Sequence, residues 1–175
     1  MANKSKWVIV LAAALALGNL TGLSASSTTQ VAIVKVQVES VFELSLDRTD
    51  VDFAAMKPGT IKYDIPATGI RVITKSNTGR KWMLKVNTVS ELRSGDNTID
   101  NQNFSWYGWT EGRGKWYGTG SDTLTLTPAT AYESSDSEGL NLPWGTSNVF
   151  KFRLNVPQTQ KAGNYETVVR FTLTE

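Results

Sequence analysis

From Ala32 onward the chain repeats one pattern. Apolar and polar residues alternate in short runs, and no stretch keeps the 3.6-residue spacing of an amphipathic helix. Period-two alternation puts every second side chain on one face of an extended strand, so it demands sheets that bury one face. Ala32, Val34, Val36 and Val38 alternate with Ile33, Lys35 and Gln37. Phe42, Leu44 and Leu46 follow, then Val51 and Phe53, then the turn pair Pro58-Gly59. Further runs are Ile70-Val72-Thr74, Trp82-Leu84-Val86, Leu124-Leu126, Phe150 to Val156, and Tyr165 to Leu173. About nine or ten short strands at this spacing predict an all-β fold, a β-sandwich or a barrel.

The N-terminus reads as a cleaved signal peptide, residues 1–25. Lys4 and Lys6 precede an uncharged apolar run, Trp7 to Leu17, and small residues around Ala25 supply a cleavage site. The run falls short of the roughly 20 residues of a membrane span. The membrane is therefore expected to matter only through this segment if it stays uncleaved. Residues 26–175 are expected to form one exported domain. Loss of Lys4 and Lys6 leaves 16 basic and 16 acidic groups, so bulk charge gives no reason to expect nucleic acid. A chain of this size buries about 68–70% of its unfolded surface and needs no disulfide staples, which fits the absence of Cys.

The chain also has no His. That removes a Ser-His-Asp triad, a thiol nucleophile and an ordinary zinc or copper site. The acidic runs Asp47-Asp50-Asp52 and Glu133-Asp136-Glu138 lack the spacing of a calcium loop and read as solvated turns. No catalytic residue, metal site or cofactor is expected.

Two hairpins follow from turn chemistry. A loop Asn77-Thr78-Gly79 would set Thr74 opposite Trp82, Val72 opposite Leu84 and Ile70 opposite Val86. The same register would gather Arg71, Lys75, Lys81 and Lys85 on the other face. Such a group needs either acids on a neighbouring strand or a bound anion, such as a phosphate-rich or acidic wall polymer. A turn at Gly112-Arg113 would set Trp109 opposite Trp116. Trp106, Tyr107, Trp109, Trp116 and Tyr117 then form a dense aromatic cluster, either a small core or a contact surface for glycan or protein. Trp144 can join either arrangement.

The stretches "GRKWMLKV" and "VPQTQKAGNYETVVRFTLTE" resemble the WxL domain of Gram-positive surface proteins. Trp82 and Leu84 match its first Trp-x-Leu, and Gly163 and Tyr165 match the Gly-x-Tyr turn before its last strand. Phe171 and Leu173 stand where the second Trp-x-Leu would be. The same ending resembles spore-coat-U-like and pilin-like secreted sandwiches. The resemblance implies a secreted, Ig-like antiparallel β-sandwich of about nine or ten strands at the bacterial cell surface or in the periplasm and, for WxL domains, non-covalent attachment to peptidoglycan. The motif residues themselves are expected to be structural, with Trp82 and Leu84 pointing inward.

Three functional expectations follow. One is a non-enzymatic surface protein, structural or adhesive, whose partner is cell-wall glycan or other surface proteins. A second is a pilin- or coat-like homopolymer, in which the strand Gln30 to Val38 completes a neighbour's sheet. A third is a carbohydrate-binding module.

Overall fold

Residues 29–63 and 69–175 are described by the structure, a computed structural model. The expected leader, residues 1–25, lies outside the described residues. The chain divides into two units, Met1–Glu39 and Ser40–Glu175.

Among the described residues of the second unit the alternating runs become twelve antiparallel strands. They are β1 (Phe42–Leu46), β2 (Ile61–Tyr63), β3 (Ile70–Ser76), β4 (Met83–Thr88), β5 (Leu92–Ser94) and β6 (Asn97–Ile99), then β7 (Phe104–Thr110), β8 (Lys115–Trp116), β9 (Asp122–Thr123), β10 (Ala129–Glu133), β11 (Thr146–Asn155) and β12 (Val169–Thr174). The first sheet runs β1-β3-β11-β7-β9, with β2 also pairing β11, and the second runs β12-β4-β10-β8. β5 and β6 form a separate ribbon. The number exceeds the expected nine or ten because β8 and β9 are only two residues long and β5 and β6 only three. Pairings that short leave no periodicity to read.

The two sheets face each other across an apolar core. Val72, Phe150, Phe152 and Trp106 point in from the first sheet. Trp82, Leu84, Val86 and Tyr132 point in from the second. Rings interlock at its centre, with Trp106 and Trp116 edge to face at 5.5 Å and Phe150 and Phe171 at 4.8 Å. Phe171 and Leu173 are partly buried against this core.

Neither expected hairpin forms. β3 pairs with β1 and β11, whereas β4 pairs with β10 and β12. The loop between β3 and β4 therefore crosses from one sheet to the other. Likewise β7 pairs with β11 and β9, and β8 pairs with β10. In both places the chain makes an arch: the strands pack face to face and do not share hydrogen bonds. An arch and a hairpin present the same alternation, because both turn two apolar sets toward one interior.

Residues 29–39, the described part of the first unit, do not form the strand expected there. They carry no ladder and are exposed throughout, including Val31, Ile33, Val34, Val36 and Val38.

Candidate functional site

The arches redistribute the residues singled out in the sequence. The expected anion face is not assembled. Arg71 and Lys75 sit on the outer face of the first sheet, whereas Lys81 lies in the arch just before β4 and Lys85 on β4 in the second sheet. Acids offset three of the four. Arg71 bridges Glu111 at 2.8 Å, Lys75 stands across from Glu43, and Lys81 bridges Asp136 at 3.3 Å. Lys85 lies between Thr130 and Thr172. Arg71 holds the Glu111 carboxyl below its ordinary range, first through their hydrogen bond.

The aromatic cluster also divides three ways. Trp106 and Trp116 turn inward and meet across the core. Tyr117 lies outside the second sheet, under the Lys115 ammonium at 4.4 Å, and donates its hydroxyl hydrogen bond to Glu133 at 2.8 Å. Tyr107 and Trp109 stand on the outer face of the first sheet. There Tyr107 meets Tyr63 edge to face at 5.7 Å, and the Lys151 ammonium lies 5.2 Å from the Trp109 ring centre.

The motif residues are internal or near a turn. Trp82 is buried and donates its indole N–H to the Glu138 carbonyl at 3.1 Å. Leu84 is wholly buried beside it in sequence. Tyr165 donates its hydroxyl to the Lys161 carbonyl at 2.9 Å, tying the last turn together as a corner tyrosine does. A Cβ at Gly163 would stand 2.4 Å from Ser94 Oγ, so this position packs too closely for a side chain.

Glu138 is a correction to the sequence reading. It is not a solvated turn residue but is 6% exposed. Its carboxylate accepts from the Tyr132 hydroxyl at 2.7 Å, the Ser135 N–H at 2.7 Å and the Thr146 hydroxyl at 2.9 Å. The Ser135 hydroxyl and the Arg113 N–H add two more bonds. Burial alone would raise its pKa, but these donors outweigh it and hold the carboxyl below its ordinary 4.5. The Tyr132 hydroxyl is pushed up, first by burial and then by its bond to Glu138. Gly112, read in sequence as a turn residue, and Gly114 let the backbone approach this pair. A Cβ on Gly112 would lie 2.1 Å from the Tyr132 hydroxyl. The spacing Ser135-x-x-Glu138 is the capping-box signature, the one sequence signal that could have found this residue.

Beside this knot lies an open cavity of about 400 Å³, lined by Glu111, Arg113, Glu138, Asn141 and Trp144. The Trp144 ring stands almost fully in solvent, on a loop with a cis Leu142-Pro143 bond.

A third feature is an unfilled side of the sandwich. Among the described residues β1 ends the first sheet and pairs only with β3, and β12 ends the second and pairs only with β4. Both reach the same arch: Val41 bonds Asn77 at 2.7 Å, and Glu175 bridges Arg80 at 3.5 Å. Between these edges Leu44, Leu46, Val169, Phe171 and Leu173 reach the core but remain partly open to solvent.

No family model matches the chain, and no curated protein matches it. Among solved structures, a family 123 glycoside hydrolase from Clostridium perfringens, described in work on glycolipid glycan hydrolysis, aligns at a TM-score of 0.38 and 10% identity. The alignment covers 77% of this chain and 24% of that one, so this chain spans about a quarter of its length.

Proposed function

We propose that the chain is a non-enzymatic, exported structural protein of the bacterial surface, in which residues 29–39 of one copy complete the sandwich of the next. The observation that carries this is the match between the exposed segment and the unfilled side. Val34, Val36 and Val38 share one face of the segment and are 91%, 85% and 77% exposed. Among the described residues no strand pairs with the outer edges of β1 and β12, which lie above half-buried aliphatic and aromatic side chains. An extended apolar segment supplies both missing partners, ladder hydrogen bonds and a row of side chains. Burying one Val is worth about 1.5 kcal/mol or more, so three give the contact real affinity. Long exposed edges are otherwise an aggregation hazard that sandwiches cover or blunt. The want of His and Cys, with Glu138 committed to five internal donors, supports the non-enzymatic part.

Light scattering after size exclusion tests the proposal on residues 26–175. The expected result is a concentration-dependent series of oligomers, collapsing to monomer in the Val34→Asp, Val36→Asp double variant without change in circular dichroism. A wild-type protein that stays monomeric at every concentration, with amides 31–38 protected inside its own fold, would sink it.

A further inference from the structure

The outer face of the first sheet carries a second surface, which does not depend on the strand exchange proposed above. We propose that Tyr63, Tyr107, Trp109, Lys151 and Arg153 form a binding track for an acidic polysaccharide built of uronate sugars.

The register builds this track. On β11 the outward residues are Ser147, Val149, Lys151 and Arg153. Lys151 lies opposite Tyr107, Val149 opposite Trp109, and Arg153 opposite Tyr63. Successive outward residues on a strand are roughly 6.6 Å apart, so the two cations of β11 stand side by side along one strand with aromatic rings across from them, Tyr107 and Trp109 on β7 and Tyr63 on β2. Val149 is only 1% exposed although it points away from the core. Its neighbours Trp109 and Arg71 flank it on either strand. The surface is thus a packed layer, not a scatter of side chains. Tyr63 and Trp109 still show 55% and 45% of their surface to solvent. Their rings are held in place, Tyr63 by its edge contact with Tyr107 and Trp109 by the Lys151 ammonium. Held rings lose little freedom on binding, which favours affinity.

Charge selects the ligand. Neither Lys151 nor Arg153 has a carboxylate within bridging distance among the described residues. The outward positions beside them, Ser105, Tyr107 and Trp109 on β7 and Ile61 and Tyr63 on β2, hold no acid. Arg71 on the same face is already matched by Glu111. A ligand here must offer flat apolar faces to the rings and anions to two cations spaced along a strand. A chain of uronate pyranoses does both: each ring has an apolar face, and each carboxylate suits the planar fork of Arg153. A polyol phosphate chain offers the anions without the rings, and a neutral glycan offers the rings without the anions.

Calorimetric titration of residues 26–175 with a hexamer of α-1,4-linked galacturonate tests the assignment. The methyl-esterified hexamer serves as the neutral control. The expected result is saturable binding of the free acid, weakened by added salt and at least about tenfold tighter than the ester. Trp109→Ala and the Lys151→Ala, Arg153→Ala double variant should each lose about tenfold or more. Trp109→Tyr should keep most of the binding, and Lys85→Ala, on the opposite sheet, all of it. All of these positions are on the surface, and circular dichroism checks that each variant folds. Equal binding of acid and ester, wild-type binding by the Trp109→Ala variant, or no binding of the acid hexamer overturns the assignment.

Discussion

The two long sides of this sandwich are finished differently. On the side of β7, β9 and β8 the chain crosses between sheets three times, in the arch 111–114, between β8 and β9, and between β9 and β10. Trp106 and Trp116 close the gap beneath those crossings. A Cβ on Gly118 would lie 2.5 Å from Trp116 Nε1, so the covering segment is in direct contact with the rings. On the side of β1 and β12 no strand spans the gap among the described residues, and five apolar side chains stay half-buried. The difference teaches where this fold is self-sufficient. The closed side is finished by its own sequence, and the open side has apolar surface in place but no covering strand among the described residues.

The largest effect is therefore expected on the closed side. Trp106 is almost wholly buried and touches both Trp116 and Phe150. Trp106→Ala removes the ring from a site whose neighbours belong to two different sheets, so collapse around the cavity is limited. The expected loss is about 3–5 kcal/mol in a urea or thermal melt. A loss below about 1 kcal/mol would mean this side is not closed by packing.

The Glu138 knot sits at the same end as both arches and is next in size. Glu138→Gln leaves buried donors facing an amide that cannot accept at both ends, and should cost about 1.5–3 kcal/mol. It also has a pH signature. The folded state holds the carboxyl below its ordinary 4.5, so the unfolded chain binds more protons in that range. This contribution is fully present above 4.5 and is lost as pH falls through the lower folded value. Wild-type melts between neutral pH and pH about 3 should show that acid-side decline, and Glu138→Gln should flatten it.

The same contrast explains what could be read from sequence. Alternation assigned the inner face correctly at Val72, Trp82, Leu84, Phe150 and Phe152, because burial of one strand face leaves a period-two trace whichever strands pair. Pairing itself left no trace. The loops after Ser76 and Thr110 carry the glycines of tight turns, and a hairpin would have satisfied them. What decides for arches is long-range: β3 has a better partner in β11, and β4 in β12, both far away in sequence. Once the pairing changes, the four cations no longer share a face and the five aromatics no longer gather in one cluster. Alternation also misjudged residues 32–38, where the pattern of a strand is present but nothing in the described chain pairs with it. Glu138 was legible in principle through Ser135-x-x-Glu138, but its burial depends on Tyr132 and Thr146, which only the folded chain brings near.

The smallest effect is expected on the open side, and it separates the two sides most directly. Leu44 on β1 is partly exposed and packs on the core from one side only. In an isolated monomer Leu44→Ala removes an incompletely buried side chain, with solvent already filling the space beside it. The cost should be about 1 kcal/mol, below the range of fully buried Leu truncations. If a strand from another copy covers this side, the same residue becomes fully buried, and the penalty moves from folding to association. The variant should then melt about 1 kcal/mol below wild type at low concentration, while its oligomers dissociate at markedly higher protein concentration than wild-type oligomers. A full core-sized loss in the dilute monomer would show that the side is already covered from within, and the contrast between the two sides would not hold.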